Sequence, residues 1–72
     1  MQNKLWQQGF INGVIYCASS LISDGNEASD RKAAQLLKEA DVSLGGFECY
    51  KTFADEFYFT VVYSAIREGR LS

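Results

Sequence analysis

The chain contains no histidine, and that one absence removes much catalytic and metal chemistry from consideration. Ser-His and Cys-His nucleophilic pairs need imidazole as the base, and mixed Cys/His zinc sites need it as a ligand. Only two cysteines occur; Cys17 and Cys49 form no C-x-x-C pair, cannot enclose a metal alone, and read as reduced, buried, small apolar residues. Proline is missing altogether. There is no glycine-rich phosphate loop, since Gly45 and Gly46 are not followed by the required Lys and Ser/Thr. The turn cluster Asp24, Asn26, Glu27, Asp30 lacks the alternating oxygens and distal Glu of an EF-hand loop. Asp55 and Glu56 are adjacent, so on a helix they diverge by about 100° and make a poor acid and base pair. The expectation is a protein that is not an enzyme, with no cofactor and no metal.

Clustered positive charge is also lacking. Seven Lys and Arg stand against nine Asp and Glu, for a net charge of −2. The distribution is uneven. Residues 5 to 23 are uncharged, whereas Asp24 to Glu56 holds eight acids against four bases, a local balance of −4. Affinity for nucleic acid rests on clustered cations that release counterions, so direct nucleic-acid binding is not expected and a basic protein partner is. The uncharged N-terminal run loosely mimics a signal sequence, but Gln7, Gln8, Gly9, Asn12 and Gly13 interrupt it and Tyr16 precedes the cysteine. It is too polar for a membrane span, and a cytoplasmic address is expected.

What is present is apolar surface. Of 72 residues, 47% are hydrophobic and 14% aromatic, rich for a single small domain, and 22% charge without low complexity argues against disorder. A chain this short removes only about 60% of its unfolded surface on folding, so it gains from a partner.

The spacing predicts an all-α fold of three helices, the two long ones packed as a hairpin with a short middle helix across them. The first spans about Lys4 to Ser23, with Asn3 as N-cap and Ser23-Asp24-Gly25 as the stop. Trp6, Phe10, Val14, Cys17 and Leu21 form one core-facing ridge, and Ile11, Ile15, Ala18 and Ile22 the ridge beside it. Gly9 and Gly13 make a small-xxx-small step suited to a close crossing, within the chain or with a second copy. The second helix spans about Glu27 to Asp41 behind Asn26, with Ala33, Leu36, Leu37 and Ala40 inward and its charges in water. Val42 and Leu44 then plug the core, and the Gly45-Gly46 pair lets the chain reverse.

The third element, Phe47 to Ile66, gathers seven aromatic residues in twenty positions. As a helix it aligns Phe47, Tyr50, Ala54, Phe57, Val61 and Ala65, widened by Phe53, Tyr58, Val62 and Ile66. Thr52 to Asp55 has capping-box spacing, and Arg67 and Arg70 suit the C-terminal end. The alternative is an α+β fold with a strand at 57–63, where β-branched and aromatic residues run together. On the helix, Phe59 and Tyr63 point away from the Phe57 and Val61 ridge and form an exposed pair for a partner.

These features point to a small acidic protein-interaction module, with Phe59, Tyr63, Asp30, Glu39 and Asp41 as partner-binding residues. Its size and charge are those of inhibitors that phages and mobile elements direct at host nucleic-acid-handling proteins, anti-CRISPR and anti-restriction proteins among them. The competing expectation is a self-associating structural or regulatory subunit, a homodimer closed over its aromatic face.

Overall fold

A computed structural model describes residues 4–52 and 54–71, with side chains from Trp6 onward. The expected N-cap Asn3 and the expected core residue Phe53 lie outside the described residues. The fold is all-α: α1 spans Lys4–Ser23, α2 Glu27–Glu39 and α3 Glu56–Arg67, with a single 3-10 turn at Phe47–Tyr50. No strand occurs among the described residues, so the alternative at 57–63 is not supported. Both α2 and α3 pack on α1, and the 3-10 turn leans on α3.

The helix boundaries follow from local chemistry. The Asn26 side chain caps α2 by accepting from the Ser29 amide at 2.8 Å. Past its end, Val42 N–H reaches back to the Leu37 carbonyl and Asp41 N–H to Lys38, which closes a Schellman turn around Asp41 at φ 62°. The same pair of bonds ends α3, with Gly69 at φ 79° and Arg70 N–H on the Ala65 carbonyl. The third helix starts later than Phe47 because Asp55, and not Thr52, is its N-cap. Its carboxylate accepts from Phe57 N–H at 3.0 Å and Tyr58 N–H at 3.4 Å. At 12 residues, α3 is no longer than the 13-residue middle helix.

One core joins Ile15, Ala18 and Ile22 of α1, Ala33 and Leu37 of α2, Phe59, Val62 and Ala65 of α3, and Val42, Phe47 and Leu71 from the connections. The ridge Ile11, Ile15, Ala18, Ile22 therefore faces inward alone. Of the second expected ridge, Val14 and Leu21 are half-buried on the flank while Trp6, Phe10 and Cys17 are exposed. Two neighbouring helices cover only part of a helix's circumference, so two broad ridges cannot both sit at the centre. Among the described residues there is no close crossing at Gly9 and Gly13 either: a Cβ at either position meets nothing within 4 Å.

The phase of α3 differs from expectation. Phe59 is only 5% exposed, stacked on Phe47 with ring centroids 5.0 Å apart, whereas Phe57 is 68% exposed. The Phe59 and Tyr63 pair is thus not an exposed one. Phe47, delivered by the turn before α3, needs an aromatic face to pack on, and Phe59 supplies it.

Candidate functional site

The residues expected to bind a partner fall into three different environments. Phe59 belongs to the core. Tyr63 is half-buried, stacked on Phe59 at 5.4 Å with Arg67 over its ring at 5.8 Å, and its hydroxyl donates to Glu48 at 3.1 Å. Phe47, Phe59, Tyr63 and Arg67 form a column that runs from the interior to the surface.

Asp30 is not a solvated charge. The Schellman turn at Gly69 aims Arg70 back at the α1–α2 junction, where Nε and an Nη donate to the two Asp30 oxygens, both at 3.0 Å. The same Nη reaches the Ile22 carbonyl at 3.1 Å. The Asp30 side chain is 12% exposed, and its hydrogen bond is the main cause that raises the Arg70 pKa above its ordinary value. This clip ties the last turn of the chain to both α1 and α2.

Glu39 and Asp41 are exposed at the far end of α2, Glu39 accepting from Gln35 at 2.7 Å. Asp41 borders a 570 Å³ groove with Arg31, Ala34, Lys38, Leu44 and Leu71. A second groove of 410 Å³ lies between Glu48, Lys51, Glu56, Phe59 and Tyr63. Among the described residues, no three His, Cys, Asp or Glu side chains come together as a metal site. Cys17 and Cys49 are free and exposed, contrary to the expectation of burial, because Cys17 lies on the outer side of α1 and Cys49 on the outer side of the 3-10 turn.

The surface that stands out includes Trp6, Phe10 and Cys17, which were expected in the core. Trp6 (66% exposed), Phe10 (47%) and Tyr16 (49%) lie along the outer side of α1, with Gly9 and Gly13 between them and Cys17 and Ser20 beyond Tyr16. Trp6 and Phe10 stack in parallel at 5.6 Å. Tyr16 meets Tyr58 edge-on at 4.7 Å, and Tyr58 meets Phe57 at 5.5 Å, so the apolar surface continues onto the start of α3. The junction is fixed by Asn12, whose side-chain oxygen accepts the Asp55 amide at 3.0 Å. One sequence signal could have revealed this face: α1 from residue 5 to 23 carries no charge on any side and has large apolar residues on several, and a helix of that kind is normally covered on more than one side.

No protein-family model, curated protein or solved structure matches this chain. No helix among the described residues is long and apolar enough to cross a membrane.

Proposed function

We propose that this protein works through protein–protein contact, with the outer side of α1 and the adjoining Tyr58 and Phe57 as the contact surface. The observation that supports the reading is the exposure of Trp6, Phe10, Tyr16 and Phe57 in one 72-residue chain whose core closes without them. Contiguous exposed aromatic surface marks interaction sites, and aromatic anchors dominate interface energetics. Of the acids, Glu39 and Asp41 are free to steer a basic partner, whereas Asp30 is occupied by Arg70. An inhibitor of a basic, nucleic-acid-handling host protein is the form of this function that the net charge of −2 favours.

The test is a comparison of what three immobilised baits retain from a host lysate: the wild type, a Phe10→Ser/Phe57→Ser variant, and a Glu39→Gln/Asp41→Asn variant. The expected result is a protein held by wild type and lost by the aromatic variant, with weaker and less salt-sensitive capture by the acid variant. Equal capture by wild type and the aromatic variant, both folded by circular dichroism, would refute the assignment of this surface.

A further inference from the structure

We infer that the α1 part of this surface is covered by a second copy of the chain, in an antiparallel helix pair centred on Gly13. The inference rests on the reading above that the outer side of α1 is a protein contact, and it names the occupant.

Three observations favour a second copy over an unrelated protein. First, residues 5 to 23 carry no charge, so two copies meet along α1 without like-charge repulsion. Second, glycine is a poor helix former, yet Gly9 and Gly13 sit inside α1 with open space where a Cβ would be. Nothing among the described residues requires their small size; a second backbone at close range would.

Third, the face is self-complementary. A two-fold axis at Gly13 brings residues at equal distances on either side of it level with one another. Gly9 and Tyr16 lie to one side of the line through Gly13, while Phe10 and Cys17 lie to the other. Because the antiparallel two-fold keeps each side with itself, Tyr16, three residues past Gly13, falls within one residue of level with the partner's Gly9, and Phe10, three before it, within one residue of level with the partner's Cys17; Trp6 and the partner's Ser20, both seven residues from Gly13, are level near the middle of the face. Every aromatic ring meets a small residue. A parallel pair would set Trp6 on the partner's Trp6 and leave each glycine facing a glycine, so its rings and its gaps would not match.

The helix is about 30 Å long and roughly 15 Å across with its solvent layer, so the face is on the order of 450 Å² per copy. The pair then buries about 900 Å² in total, the size of weak, reversible complexes, and a dissociation constant in the micromolar range is expected.

Sedimentation equilibrium of the full chain, from about 1 μM to 1 mM, is the primary test. A reversible dimer is expected, with Gly13→Leu weakening it at least tenfold while leaving the helical spectrum and the melting of dilute protein intact. Orientation is read from cysteines under mild oxidation. In the antiparallel pair the two Cys17 Cα atoms are offset by about 12 Å along the axis, beyond the ~7 Å reach of a disulfide. Gly13→Cys in a Cys17→Ser/Cys49→Ser background should therefore cross-link, and Cys49→Ser, which keeps Cys17, should not. A monomer throughout, or a dimer indifferent to Gly13→Leu, overturns the inference, and ready cross-linking through Cys17 overturns its antiparallel geometry. If the chain is monomeric and the aromatic variant still loses a captured protein, the second copy is rejected while the broader interaction reading survives. If neither association is found, both fall.

Discussion

Phe57 and Phe59 are the same residue two positions apart, and the structure assigns them opposite energetic roles. Phe59 is 5% exposed and sandwiched between the Phe47 ring at 5.0 Å and the Tyr63 ring at 5.4 Å. Truncation to Ala removes its buried ring surface, leaves a cavity and ends both stacks, a loss of about 3 to 5 kcal/mol. For a chain of 72 residues the whole stability is about 4 to 11 kcal/mol at the usual per-residue value. The change therefore removes about a quarter of it or more, and the melting temperature should fall by about 12 to 40 °C. Phe57→Ala removes an exposed ring whose described aromatic contact is Tyr58, and should cost less than ~1 kcal/mol. Thermal unfolding followed by circular dichroism, on dilute protein so that association does not add to stability, measures both. Equal losses, or a larger loss for Phe57, would mean that α3 presents its other face to the core and that the aromatic surface described above is misassigned.

Separate Asp30→Asn and Arg70→Lys changes should each lower the melting temperature, with a double mutant less destabilised than the sum, because one partner alone leaves a polar group unsatisfied in a part-buried site. The folded-state pKa of Arg70 is raised, so its contribution is complete below its unfolded pKa and lost only as pH climbs through the folded one. Melting should therefore show no dependence on Arg70 between about pH 7 and pH 10, and a transition there that Arg70→Lys abolishes would contradict this. Gly9→Ala and Gly13→Ala should each stabilise dilute protein by up to ~1 kcal/mol, since the added Cβ meets nothing in the monomer; destabilisation would indicate an intrachain contact. Asp41→Gly should stabilise by about 0.5 to 1 kcal/mol through relief at φ 62°, and a lower melting temperature would show that the Asp41 side chain does more than occupy the turn.

Element types and most ends were legible because their signals are local. Asn26 before an amphipathic run marks the start of α2, Gly25 the end of α1, and no tertiary knowledge is needed to see either. The phases of α1 and α3 were not legible. From Phe57 to Ile66 nearly every position is apolar, so several rotations of α3 satisfy the pattern and the choice falls to Phe47, which reaches the helix from outside it. In α1 the same ambiguity sent Trp6 and Phe10 to the core on paper and to the surface in the fold. Asp30 read as one acid among eight because its partner lies forty residues onward and is aimed by a turn at Gly69. The candidate surface thus depended on helix rotation, which sequence periodicity fixes only when one side of a helix is polar.

Both α2 and α3 pack on α1 but not on each other, and this sets an order of assembly. α1 and α2 are separated by the three residues 24–26, so their docking closes a short loop, whereas α3 has to return across all of α2 and the connection from 40 to 55. Loop-closure entropy favours the α1–α2 hairpin first, with α3 arriving on a surface already half built. Synthesis from the N-terminus releases the helices in that same sequence. Arg70 follows α3 in the chain and closes on Asp30, within the pair of helices whose docking closes the shorter loop.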